Sequence, residues 1–121
     1  MIKLVPYSKE DHESLVCAWW DARGVPFSPV VLPKLGTVAL NGDRPVAAAW
    51  VYMDNSVGVC FLHWLVTDPE APAHIAAVGG RHAVQFLCEE VKRLDYGVMF
   101  TDVVDPKLVD VAQKYGFQNA R

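Results

Sequence analysis

Cysteine is scarce in this chain: Cys17, Cys60 and Cys88 are its three among 121 residues. They are odd in number, widely spaced and without a Cys-x-x-Cys pair, which excludes a disulfide framework and a zinc knuckle and fits a reducing cytoplasm. Positive charge is also thin. Lys and Arg number 11 against 14 Asp and Glu, for a net charge of -3. Because the basic residues do not cluster, pairing with a nucleic-acid backbone is disfavoured. No apolar run reaches the ~20 residues of a membrane span. Lys3, Lys9 and Glu10 stand where a signal peptide would need an apolar core. These absences lead to the expectation of a cytoplasmic protein with no membrane partner.

What the chain does have is hydrophobic substance. At 52% hydrophobic residues, it can build one core unaided, so residues 1–121 are read as a single domain. Ile2 to Val5, closed by Pro6, reads as an opening strand. Ser8 with Asp11 has the form of a capping box, and Leu15, Val16 and Trp19 recur at helical spacing until Gly24, predicting a helix over 9–22. Pro26, Pro29 and Pro33 allow at most one helical turn in the next segment. Gly36 to Leu40 and Pro45 to Tyr52 flank Asn41-Gly42, a hairpin signal, and a turn over Met53 to Ser56 leads to an apolar strand over 57–66. The reading is an antiparallel meander whose third strand is central. After Asp68-Pro69, a helix starting near Gly79-Gly80 would bury Val84, Leu87, Val91 and Leu94 and carry Glu89 and Arg93 outside. Gly97 to Asp102 is then a strand. Asp105-Pro106 opens a last helix that Gly116 caps.

The predicted order is therefore β-α-β-β-β-α-β-α, an α/β (α+β) arrangement with a mixed sheet. A strand, helix and parallel strand at the end of an antiparallel meander is an informative combination. The chain here resembles the Gcn5-related N-acetyltransferase family. The resemblance lies in Val66-Thr67-Asp68-Pro69 at the end of the central strand and Lys114-Tyr115-Gly116-Phe117 at the end of the last helix. It runs loosely from Ile2 to Phe117. Trp19-Trp20, Arg23-Gly24 and Pro45-Val46-Ala47-Ala48 look like the short members common in phage genomes, which would make the host cytoplasm the setting.

The resemblance implies an acyl-coenzyme-A-binding fold and transfer of an acetyl group from acetyl-coenzyme A (acetyl-CoA) to an amine of a small molecule or protein. In such proteins the central strand and the following parallel strand splay apart, and the pantetheine arm fills the gap. Here the gap would lie along Leu65, Val66 and Thr67, with a backbone donor of Leu65 or Val66 polarising the thioester. The pyrophosphate needs N–H groups at a helix start, which Ala77, Val78, Gly79 and Gly80 would provide, with Arg81 adding charge. The family's Arg or Gln, two residues, Gly, one residue, Gly or Ala pattern is degraded here to His74, Ala77 and Gly79. The alternative for the two glycines is packing alone.

His63 is the candidate base, because imidazole is the side-chain type that titrates near neutrality, and a structural histidine on a buried strand is the competing reading. Where many relatives hold a tyrosine acid, four residues before the Gly of Gly-Phe, this chain has Ala112. Tyr115 occupies a packing position. Cys60 and His63 sit three apart on one strand and so point to opposite faces, which excludes a shared metal or a thiolate-imidazole couple. No metal site is expected. Trp19 and Trp20 cannot both face inward from one helix, so Trp20 with Phe27, rimmed by Asp21 and Arg23, is a candidate acceptor or partner surface. The family normally adds a strand or hairpin after Gly-Phe, so the fold is expected to be truncated after the last helix, leaving a sheet edge open to homodimerisation. A second function stays open beside transfer: a catalytically weak or inactive fold that binds a host protein and modulates it.

Overall fold

The computed structural model describes residues 1–25, 27–54 and 58–101, and residues 110, 113 and 114, which are helical. The expectations for Asn55 to Val57, Asp102, Asp105-Pro106, Ala112 and Tyr115 to Phe117 lie outside the described residues. Within them the order is β1 (Ile2–Pro6), α1 (Lys9–Ala22), one 3₁₀ turn (Pro29–Val31), β2 (Gly36–Asn41), β3 (Arg44–Met53), β4 (Val59–Thr67), α2 (Ala73–Arg93) and β5 (Val98–Thr101). The strands form one sheet in the order β1-β2-β3-β4-β5. The first four are antiparallel to their neighbours, and β5 is parallel to β4 across the α2 crossover. This is the mixed α+β arrangement expected from the periodicities.

The sheet is apolar on both faces because a helix covers each. On one side Ala83, Val84, Leu87, Cys88 and Val91 of α2 pack on Ala49, Val51, Cys60 and Leu62. On the other, Val16 and Trp19 of α1 pack on Val38, Ala48, Trp50 and Val66. Alternation along β3 sends successive residues to the two layers, which is why its run from Val46 to Val51 is wholly buried. Among the described residues no helix is long and apolar enough to cross a membrane.

Three local expectations are corrected. First, α2 begins at Ala73 rather than near Gly79-Gly80. Pro72 is its N-cap, at φ -54° and ψ 137°, and Ile75 packs in the first turn against the cluster of Ala39, Val46 and Ala47. Both glycines are buried inside the helix. A Cβ built on Gly79 would lie 2.8 Å from Val46 Cγ2, so this glycine lets helix and sheet approach. Second, the β2–β3 turn is centred on Gly42-Asp43, with Asn41 paired to Arg44. Only Gly42 has positive φ there (64°), the requirement of a glycine-first two-residue turn. Third, Ser8 accepts from the Asp11 N–H at 3.4 Å, but the return bond to the Ser8 N–H comes from His12 Nδ1 at 2.9 Å. Histidine thus takes the place expected of Asp11. On α2, Arg93 bonds Glu90.

Candidate functional site

Strand β4 is interrupted at Trp64. Ala48 pairs with Val66 and Trp50 with His63, so Ala49 alone opposes both Trp64 and Leu65. That two-against-one count is a β-bulge. Trp64 absorbs it at φ 61°, a conformation a bulky residue adopts at a cost of roughly 1–3 kcal/mol and one that concentrates at functional sites. The bulge also shifts the alternation of faces. Cys60 and Leu62 pack towards α2, whereas Trp64 and Val66 join the α1 side. His63 and Trp64 become neighbours, their rings 4.8 Å apart at 77°.

Past the bulge β4 stays paired with β3 through Val66 and Thr67. On its other side the described β4–β5 ladder covers Val59 to Leu62 opposite Val98 to Thr101. Leu65, Val66 and Thr67 follow the bulge, and Thr67 Oγ1 accepts from Arg23 Nη2 at 3.0 Å.

His63 is half-buried. Its ring lies 6.4 Å from that of Tyr52, whose hydroxyl accepts from Trp64 Nε1 at 2.7 Å and donates to the Val31 carbonyl at 2.6 Å. Tyr52 therefore fixes the bulge residue to the 3₁₀ turn. Cys60 lies on the other face with α2, as its spacing from His63 predicts. Burial pushes the Cys60 thiol up to about 11, and burial, aided by Cys60 and Glu89, pushes Cys88 to about 12. With roughly one in 10⁴ Cys60 thiols and one in 10⁵ Cys88 thiols ionised at neutral pH, thiolate chemistry is disfavoured there. Among the described residues, no three His, Cys, Asp or Glu side chains are placed to share a metal ion.

The segment between β4 and α2 is latched. Asp68 accepts from Arg44 Nη2 at 2.8 Å and Nε at 3.2 Å, and from the Glu70 N–H at 2.9 Å. Burial works to raise the Asp68 pKa, but these bonds and the Arg44 charge together hold it below the usual carboxylate value. The latch ties the turn between β4 and α2 to Arg44 of β3. The Pro72 carbonyl accepts from the Ile75 and Ala76 N–H groups, leaving those of Ala73 and His74 as the leading donors of the helix. Ala77, Val78, Gly79, Gly80 and Arg81 follow in the next turns, where their N–H groups belong to the helix ladder.

The Trp20 surface is built differently from expectation. Trp19 is buried and Trp20 packs against the same cluster. Trp20 stacks on Phe27 (5.8 Å, 17°), and both meet Trp64 edge to face at 5.5 and 5.1 Å. Both tryptophans face the core because Trp20 stands at the last turn of α1, where the Phe27 loop and the bulge rise to cover it. Asp21 is exposed, and Arg23 also donates to the Trp19 carbonyl at 3.1 Å. The structure thus places His63, Trp64, Leu65, Val66 and Thr67 along the bulged half of β4. Sequence reasoning missed Tyr52, the Arg44–Asp68 pair and the bulge itself. The only available sign was Asp68-Pro69, which marks a chain reversal needing to be tied down.

No protein-family model matches this sequence, and no curated protein matches it. Solved structures do match. The ribosomal-protein-S18-alanine N-acetyltransferase from Escherichia coli superposes with a TM-score of 0.75 at 15% identity, over 100% of this chain and 80% of that one. An N-acetyltransferase from Staphylococcus aureus Mu50 gives 0.71 at 14%, over 100% and 86%. N-acetylglutamate synthase from Neisseria gonorrhoeae, solved with coenzyme A and N-acetyl-glutamate, gives 0.64 at 10%, over 100% of this chain and 29% of that one. The chain has the fold of the Gcn5-related N-acetyltransferases.

Proposed function

We propose that the chain is an N-acetyltransferase, taking acetyl from acetyl-CoA to an amine. The observation that carries this reading is the bulge at Trp64 in the middle of β4, beside His63 and just before Leu65 to Thr67, on a sheet with the acetyltransferase order of strands. Peptide groups that a bulge takes out of the ladder suit an amide-bearing chain such as pantetheine, which bonds as a strand would. The leading N–H groups at Ala73 and His74, together with the helix dipole, suit a pyrophosphate. Arg81 follows His74 and Ala77 on one face of α2 and adds a positive charge to it. Gly79 serves by seating the helix on the sheet instead of by donating to the ligand.

The coenzyme supplies an acetyl thioester. The amine nitrogen attacks its carbonyl carbon, a C–N bond forms and the C–S bond breaks, and the amine's proton passes to His63, directly or through one water. A backbone N–H of Leu65 or Val66, turned by the bulge, stabilises the carbonyl oxygen as charge builds there. The departing thiolate takes its proton from water. The alternative, a docking module using the Trp20 to Phe27 surface, meets rings already packed on Trp64.

Release of free thiol from acetyl-CoA in the presence of a panel of amines tests the reading. Amine-dependent release is expected, and His63→Ala should lower it about 10²-fold or more. No release above the amine-free rate would overturn the reading. Unchanged turnover in His63→Ala would remove the base.

A further inference from the structure

Two phenyl rings lie side by side on β4 and β5. Phe61 and Phe100 are register partners, their centroids are 5.5 Å apart at 23°, and they are 47% and 48% exposed. Val98, 49% exposed, stands two residues before Phe100 and so on the same face of β5. This face is the one opposite α2, because Cys60 and Leu62, flanking Phe61, point into the α2 layer. The next register pair is Leu62 with Thr101, and His63, which follows Leu62 on β4, stands two residues from Phe61.

Towards the bulge the same face continues through His63, flanked by Tyr52 at 6.4 Å and Trp64 at 4.8 Å. Among the described residues, the row from Phe100 to Trp64 contains no carboxylate to bind a second cationic group and no guanidinium to bind an acid. Its one hydroxyl, on Tyr52, is already bonded as both donor and acceptor. Size argues further. Three half-exposed apolar side chains offer on the order of 300 Å², well below the ~800 Å² each partner contributes to a stable protein interface, but enough for one face of a small aromatic molecule.

We infer that the Phe61–Phe100 pair is the floor of the acceptor site, and that the acceptor is a small amine carrying an aromatic ring. This rests on the acetyl-transfer reading for what happens to the amine, but not for its binding. A ring stacked on Phe61 directs its amine along the strand to His63. Those residues are separated by about 6.6 Å of strand rise. A two-carbon tether and one hydrogen bond of about 3 Å cover that spacing. The rings also attract the ammonium form on approach.

The test uses 2-phenylethylamine, butylamine, 1,4-diaminobutane and a short peptide with a free amino terminus. Calorimetry would measure binding with and without acetyl-CoA, and thiol release would measure turnover. The inference predicts that 2-phenylethylamine is preferred over the other three by about tenfold or more in Kd and kcat/KM. Phe61→Ala and Phe100→Ala should each raise its KM about tenfold, whereas the Kd for acetyl-CoA stays within twofold. If the diamine or the peptide is preferred, or both variants bind 2-phenylethylamine as the parent does, the inference is wrong. It is equally wrong if sedimentation shows a dimer that Phe100→Ala dissociates, since a second copy then owns the patch. If 2-phenylethylamine binds and Phe100→Ala weakens it but acetyl-CoA does not bind, the floor stands and the transfer reading falls.

Discussion

Gly79 and Gly80 are adjacent on α2 and should respond to alanine in opposite ways. At Gly80 the nearest atoms to an added Cβ are Leu65 Cδ1 and Thr67 Cγ2, both at 3.9 Å, an ordinary contact. Helix propensity then acts alone, and Gly80→Ala should stabilise the protein by about 1 kcal/mol. For a chain of 121 residues, with about 2.1 cal/mol/K of unfolding entropy per residue, that raises Tm by about 4 °C. At Gly79 the same gain meets Val46 Cγ2 at 2.8 Å, with Ala39 and Ala47 Cβ behind it at 3.5 Å. Overpacking of that kind costs about 1–3 kcal/mol, so Gly79→Ala should fall below Gly80→Ala by that amount, about 4–12 °C in Tm. Thermal unfolding followed by circular dichroism reads the difference. Adding Val46→Ala to Gly79→Ala should narrow it, because the offending methyl is gone. Two variants that shift Tm together and equally would refute the close approach. Losses at both would refute helical backbone at these glycines.

Three further outcomes follow from the latch, the thiols and the base. Asp68→Ala should cost about 1–2 kcal/mol at pH 7 in urea unfolding, discounted for the exposure of Arg44. Because the folded-state pKa of Asp68 is lowered, this stability is present above the unfolded value of about 3.9 and is lost as pH falls below it, through the lowered folded value. The gap between parent and variant should therefore narrow in acid, and a gap that does not change with pH would contradict the ion pair. Cys60 and Cys88, with thiols pushed to about 11 and 12, should resist alkylation at pH 7 until the protein is unfolded. Rapid labelling of either in the native state, read by mass spectrometry of peptides, would contradict their burial. In the transfer assay the His63→Ala loss should fall on kcat, whereas a larger effect on KM for acetyl-CoA would assign His63 to binding.

Much of the fold was legible because its signals are periodic. The α1 span, 9–22, follows from Ser8, the apolar spacing and Gly24, and the meander followed from runs that change to period two at Gly36. The misreadings occurred where one residue type serves two physical purposes. Gly79-Gly80 suggested a turn, yet both lie inside α2, and Gly79 is there because Val46 and the alanines of β2 and β3 need the space. Asn41-Gly42 suggested a turn centre, yet Asn41 still pairs with Arg44 and the turn is one residue later. The candidate site was less legible. Its organising feature is a bulge centred on tryptophan, and nothing in the identity of Trp64 signals positive φ. His63 and the Leu65 to Thr67 segment were found only because they stand on the central strand before Asp68-Pro69. Tyr52 and Arg44 act across 12 and 24 residues of sequence, beyond any local pattern.

The central claim is that the bulged end of β4 and the start of α2 hold the two ends of one ligand. Backbone amide NMR during titration with acetyl-CoA tests it most directly. The account predicts saturable shifts concentrated at Leu65, Val66, Thr67, Ala73 and His74, with small effects at β1 and at the 41–44 turn. No shift at millimolar acetyl-CoA, or shifts that bypass both segments, would contradict it.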